Sequence, residues 1–524
     1  MNEIDHISLL RTGVVIYMAV FIAVAFWMIT FVKKSGKRYV VCGKSLNLFF
    51  VCIMLITQAI DANATMGASS NAYLSGFWTG FTFPLGLAGC LVVVGLFFAK
   101  PLNSLNLLTL PDFYQRRYSS AVECVVSVIM GFSFMILVAG NIAGGGWILG
   151  YVFGLNYTTA LLIITVIVFG CTITGGLFSC AATDAVQICA AKTGFIMAAV
   201  WLLYTYGWDS FAAALPDTLG APENYYNLTG PTRIDNGAMI NYAGIMALVL
   251  GDVIALDFME RIFAAKSART ARLGCFYAAF LTIFVGLSSC LIGLAAYSLI
   301  PDLASSDPRM IMPEMAANAL PLGFGVLVIA GILGAGASTA SGGLLGVSTV
   351  VGRNLYQKNI YRLYLKSKGT SLEEFNNEEN RAIFDKRLLL IARLAAIPVM
   401  MCAMYIAHVR PEPGVLLVLA FDVAFAGCLV PLILGLAWKK ANSAGAMAGV
   451  ISGSLVRLIL YIWIATADDL GGFARWEGVE TLIAPTVSFI VMWFVTLATQ
   501  EAYPPKWEAI KRIPGDAEVL AGLA

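Results

Sequence analysis

The sequence predicts an all-α integral membrane protein with about thirteen transmembrane helices, and three observations carry that prediction. Of 524 residues, 59% are hydrophobic and only 12% are charged, about half the ~25% charge of an average soluble domain. Apolar stretches recur near 13–32, 48–72, 76–98, 122–152, 158–178, 182–206, 239–258, 274–299, 315–350, 388–407, 414–437, 444–465 and 480–498. Most approach the roughly 20 residues that a helix needs to cross a bilayer core. Lys and Arg alternate in phase with these stretches: 25 of the 33 fall in one set of connections, 5 in the other and 3 inside spans.

The first span follows an acidic start (Glu3, Asp5) and precedes a basic cluster of Lys33, Lys34, Lys37, Arg38 and Lys44. That order, with no small-x-small site, is not that of a cleaved signal, and it places the N-terminus outside. The same rule puts Arg116 and Arg117, the Arg261–Arg272 segment, the 353–387 connection and the C-terminus on the cytoplasmic side of a plasma (inner) membrane. The second span carries Gln58, Asp61 and Asn63 near its middle. A mid-bilayer carboxylate costs about 2.5–3.5 kcal/mol on insertion scales, so it marks a substrate or ion pathway by default. The seventh span repeats that anomaly with Gly251 and Asp252. Two interrupted spans, five elements apart, are the pattern of an inverted repeat with a midplane site.

Residues 334–343 of the ninth span are almost all Gly, Ala, Ser or Thr. Such a stripe either packs helices closely or offers hydroxyl oxygens to a hard cation. Asp422 in the eleventh span is the third mid-depth carboxylate, and Asn141 joins Gln58 and Asn63 as an amide candidate. Three carboxylates near one cavity would neutralise an amine-bearing solute or carry a coupling proton. Alternatively they cap broken helix ends or pair with Lys192 or Arg457. Asp257 and Glu260 beside Arg261 read as a solvated ion-pair cluster near the cytoplasmic surface.

Other motifs fall away. The Gly-rich run at 141–150 lacks a GK[ST] ending and lies inside a span, so it is no nucleotide loop. A net charge of +2 implies no nucleic-acid partner, and eleven scattered cysteines with two histidines give no transition-metal spacing. No catalytic triad is evident, so the chain reads as a transporter and not as an enzyme. The outward segment 207–238 is polar and reads as a cap over an entrance, and 353–387 as surface helices or a plain connector.

Five segments in order resemble one family, the sodium/solute symporters that include bacterial proline, galactose and sialic-acid carriers. They are DANATMGASSNAYLSG at 61–76, GGLFSCAATDAVQ at 175–187, RIFAAKSARTAR at 261–272, GASTASGGLLGVSTVVGRNLY at 336–356 and GLAWKKANSAGAMAGVISG at 435–453. The resemblance implies a five-plus-five inverted-repeat (LeuT-like) core with broken first and sixth core helices. Its parts would be an extra helix and loop (1–47), a first repeat (48–206), the loop 207–238, a second repeat (239–437) and two peripheral helices with a tail (438–524). It implies a Na+ site formed by the carbonyls of Thr57, Ile60 and Ala335 with the hydroxyls of Ser338 and Thr339. A second cation or coupling site would involve Asp184 and Ser341, although Gly342 stands where some members supply a hydroxyl. Ala182 replaces the tryptophan of the TDxxQ block, and Gly251-Asp252 replace the aromatic gate of sugar carriers.

The expected function is therefore secondary active symport of a small organic solute by alternating access, with Na+ as coupling ion, no other cofactor, and the lipid bilayer, solute and Na+ as partners. An amine-bearing solute is favoured, and Gln58, Asp61, Asn63, Asn141, Gly251, Asp252 and Asp422 are its candidate ligands. The alternatives are H+ coupling through Asp61 or Asp252, and a symporter-like sensor.

Overall fold

In the computed structural model, the described residues are 3–33, 35–208, 239–300, 307–361, 364, 367, 378–466 and 478–512. The expected entrance cap at 209–238 and most of 362–377 lie outside them, so those expectations have no structural counterpart here. Helix α1 (Glu3–Trp27) leads to the first interrupted span, α2 (Leu48–Ala59) and α3 (Ala62–Ser75). Asn47 starts α2 by accepting the Phe50 N–H at 3.1 Å. Two residues later than its end, Asp61 accepts the Ala64 N–H at 2.7 Å and starts a new helix. An Asx N-cap satisfies donors that a continuing helix would have used itself, and the span bends by 46° there.

Next come α4 (Phe77–Val93), the short α5 (Pro111–Arg117), α6 (Ser120–Phe153) and α7 (Tyr157–Tyr206). Helix α7 has 50 residues, about 75 Å at 1.5 Å per residue, more than twice the bilayer core. It is two spans joined at Gly176, whose φ of 54° and ψ of −139° leave the helical region. Tyr39 packs so closely there that a Cβ on Gly176 would lie 2.5 Å from its carbonyl oxygen. Only glycine meets both conditions.

The second interrupted span runs from α8 (Met239–Met246) through a wide turn (Ala247–Gly251) and a tight one (Asp252–Ile254) to α9 (Leu256–Ala264). It bends by 43° at Ala255. The remaining spans are α10 (Ala268–Leu299), α11 (Leu322–Val350), α12 (Glu378–Val409), α13 (Pro413–Ala437), α14 (Ser443–Thr466) and α15 (Val479–Ala498). Ten long apolar helices plus two bent pairs give twelve elements, and the doubled α7 makes thirteen crossings among the described residues. The ninth span starts at Leu322 and not at 315, because residues 315–319 belong to a separate helical turn that ends before Pro321.

Every residue of α11 from Val328 to Val350 is buried, with α6 and α7 packed on it. The two interrupted spans are stapled at one end: Leu46 N–H donates to the Ala264 carbonyl at 3.1 Å, and Lys266 N–H to the Leu46 carbonyl at 3.0 Å. Asn103 caps the same corner, donating to the carbonyls of Ile262 (2.7 Å) and Ala265 (3.0 Å).

Candidate functional site

The break between α2 and α3 lies against the small-residue stripe of α11. Thr57, Ile60, Ala335, Ser338 and Thr339 are all at most 2% exposed. The Thr339 hydroxyl donates to the Thr57 carbonyl at 3.3 Å, and the Ser338 hydroxyl donates to Asp184 Oδ1 on α7. Hard-cation–oxygen distances of about 2.3–2.6 Å put neighbouring ligands of an octahedral shell roughly 3.3–3.7 Å apart. The Thr57–Thr339 pair has that separation. Asp184 Oδ2, the Ser341 hydroxyl and both ends of the Gln187 amide are buried with no hydrogen-bond partner, so the polar region continues along α7 towards Tyr17 of α1, whose hydroxyl is also unpartnered.

Asp61 is at the other side of the break. Beyond capping Ala64, its second oxygen accepts from the amides of Asn141 at 2.7 Å and Asn63 at 3.2 Å. Asn141 in turn accepts the Ala62 N–H at 3.2 Å, and Asn63 donates to the Leu137 carbonyl at 3.3 Å. These three candidates are brought together, but their hydrogen bonds hold the helix break to α6.

Gln58 points to the half-helix α9. With its amide nitrogen donating to Asp257 Oδ2 at 3.0 Å, its oxygen accepts from Arg261 Nη2 at 3.0 Å. Arg261 also donates to the Asp257 carbonyl at 2.9 Å and lies 3.8 Å from Glu260. The expectation of a solvated cluster is corrected here: Asp257, Glu260 and Arg261 are 2%, 3% and 0% exposed. The staple at Leu46 pulls α9 over α2 and against α11, where Gly342 makes room for the guanidinium: a Cβ on Gly342 would meet it at 2.7 Å.

Asp252 and Asp422 are 0% and 2% exposed, but their surroundings differ. Neither oxygen of Asp252 has a nitrogen or oxygen hydrogen-bond partner among the described residues, and the Cys90 thiol is its polar neighbour. Asp422 is ion-paired with Arg457 of α14, the pairing weighed as an alternative from the sequence, and Arg457 also lies 3.8 Å from Glu480 of α15. A cavity of about 730 Å³ opens between α3, α4, α8, α13, α14 and α15, with Met66, Ser70, Phe83, Leu248, Asp422 and Arg457 in its wall. Of the three mid-depth aspartates, Asp422 alone is in the wall of this cavity. At its mouth Arg309 pairs with Asp307 at 2.7 Å and stacks 4.2 Å from the Trp147 ring centroid. Glu480, Thr481 and Ser70 were not singled out from the sequence. The first two sit at the start of an outer span, where a polar residue looks like ordinary surface.

Several known proteins match this chain in sequence or fold. A model of the sodium:solute symporter family fits residues 39–453. The sodium/glucose cotransporter of Vibrio parahaemolyticus is 25% identical over 502 residues, covering 88% of this chain and 87% of that protein. The sodium/proline symporter of Staphylococcus aureus (strain JH9) is 24% identical over 519 residues, covering 93% and 92%. The human high affinity choline transporter 1 is 22% identical over 470 residues, covering 86% and 77%. Among solved structures, a Na+-coupled sialic acid symporter in its substrate-bound outward-open state superposes with a TM-score of 0.72 at 17% identity, covering 95% of this chain and 98% of that one. The fold is that LeuT-like one.

Proposed function

We propose, for a chain that belongs to the sodium:solute symporter family, that it couples Na+ entry to uptake of a small amine-bearing solute. Thr57, Ile60, Ala335, Ser338 and Thr339 would hold the ion where the broken span crosses α11. The 3.3 Å approach of the Thr339 hydroxyl to the Thr57 carbonyl carries this reading, since two helices that move in alternating access would share one cation. One positive charge crossing 100 mV releases roughly 2.3 kcal/mol, enough for tens-fold accumulation at ~1.4 kcal/mol per tenfold. The cavity bounded by Asp307, Arg309 and Glu412 would then be the outer vestibule, on the face that the basic residues avoid.

The names of the relatives cover a sugar, an amino acid and a quaternary amine, so they do not choose the solute. The cavity wall supports an amine: it places the acidic Asp422 and Glu480 around the one guanidinium of Arg457, so an amine would supply the second positive charge. Thermal-shift measurements on the purified protein with proline, choline, glucose and sialic acid, each in NaCl and in KCl, test both halves. Stabilisation by an amine-bearing compound in NaCl alone, abolished by Asp422→Asn, is expected. Stabilisation by glucose, equal in both salts, would refute the reading.

A further inference from the structure

The break of the seventh span contains a carboxyl group that Na+ coupling leaves unused. Asp252 is 0% exposed and neither oxygen meets a nitrogen or hydroxyl donor among the described residues, the weakly donating Cys90 thiol being its polar neighbour. The other buried aspartates each have at least one partner: Asp61 has Ala64, Asn141 and Asn63, Asp184 has Ser338, Asp257 has the Phe258 N–H, and Asp422 has Arg457. Glu260 has the Arg261 guanidinium at 3.8 Å.

Three features make an ionised carboxylate unfavourable there. Asp252 begins the last turn of the helical run Met239–Ile254, where unsatisfied carbonyls already give a negative potential. The charged groups that act on it are acidic, Asp257 from α9 and Asp61 from the first break, while α4 brings the Cys90 thiol, a weak donor that opposes them. Helix α13 faces the adjacent Gly251 with the Phe421 carbonyl and Phe425, its own Asp422 being held by Arg457. Asp252 is not in the wall of the 730 Å³ cavity, and the adjacent Gly251 packs so closely on α13 that a Cβ there would lie 2.8 Å from the Phe421 carbonyl oxygen.

We propose that Asp252 is a proton-binding site, and that the transport cycle moves a proton off and onto this carboxyl in addition to binding Na+. While the break is packed, the carboxyl keeps its O–H. When α9 swings away and water reaches the break, the O–H bond opens, the proton passes to water and a hydrated carboxylate remains. Reprotonation from the medium resets the group before the break closes. Na+ at the α2–α11 crossing adds positive charge to the same buried region, so ion binding and proton release favour each other reciprocally. That link, unlike the site itself, rests on the sodium reading.

Infrared absorption of the purified full-length protein, exchanged at neutral pH from KCl into NaCl with a pH-sensitive dye present, tests the proposal without a solute. In KCl the wild type is expected to show the carbonyl stretch of a protonated carboxyl, and Na+ should diminish it as a stoichiometric proton appears in the medium. Asp252→Asn should lose both signals, and Asp252→Glu should retain both at a shifted frequency. Persistence of the band in Asp252→Asn overturns the site. A band that Na+ leaves intact, with no proton released although radiolabelled Na+ binds, overturns its part in the cycle. If the wild type binds no Na+ but Asp252→Asn loses the band, the proton site stands and the sodium reading falls.

Discussion

At the scale of single residues, the site is decided by what each polar atom already touches. Thr339 and Ser338 spend their hydroxyls on a carbonyl and a carboxylate that are themselves candidate cation ligands. Replacing both with alanine removes two candidate ligands and takes a donor from the buried Asp184 carboxylate and from the Thr57 carbonyl. A tenfold or larger loss of Na+ affinity is expected, about 1.4 kcal/mol or more, read as a rightward shift of the Na+ dependence of thermal stabilisation. Asp61 behaves differently. Asp61→Ala removes the cap of α3 and strands the Asn141 amide, so a loss of roughly 2–4 kcal/mol is expected from ~1 for the cap and 1–3 for the buried unpaired donor. Asp61→Asn retains a capping oxygen. A denaturation midpoint for Asp61→Asn as low as that for Asp61→Ala would show that charge, and not the cap, matters there.

At the scale of elements, hydropathy made the spans legible because a bilayer imposes nearly one length on every crossing. The second and seventh spans announced their breaks through Asp61 and Gly251-Asp252. What periodicity could not show was the consequence of each break. An N-capping aspartate and a ligand aspartate are the same letter, and the difference lies in Asn141 and Asn63, one of them 80 positions away. The burial of Asp257, Glu260 and Arg261 was illegible for a related reason: adjacent opposite charges look solvated until a strand-like staple at Leu46 folds their helix inward. The bend in α7 is written in one glycine. Gly176→Ala forces a residue with a Cβ into φ 54°, at a cost of about 1–3 kcal/mol, and pushes on Tyr39 as well. A measurably lower melting temperature is expected, and an unchanged one would show that the two spans can rejoin without the kink.

At the scale of the whole molecule, helix α11 continues past Val350 into a wider helical segment, Val351–Ile360, that is locked to α5 and the start of α6. Arg353 meets Asp112 of α5 at 2.9 Å, Lys358 meets Asp112 at 2.8 Å and Glu123 at 3.4 Å, and Asn354 bridges Asp112 and Glu123 at 2.9 and 2.6 Å. Burial alone would raise the Asp112 carboxyl, but the Arg353 and Lys358 cations outweigh it and hold it well below the usual carboxylate range. A group lowered in the folded state stabilises at neutral pH, and that contribution is lost as pH falls from the ordinary carboxylate value through the folded one. Asp112→Asn should therefore lower stability at neutral pH by about 3–5 kcal/mol, the cost of stranding buried cations, and flatten the acid side of the stability profile. Equal acid slopes in the two proteins would show that the lock is not electrostatic.

Equilibrium binding of radiolabelled Na+ to the purified protein bears most directly on the claim that one cation bridges the broken helix and α11. Saturable binding to the wild type, lost when Ser338 and Thr339 are both alanine, is the predicted result. Undiminished binding by that double variant would contradict it.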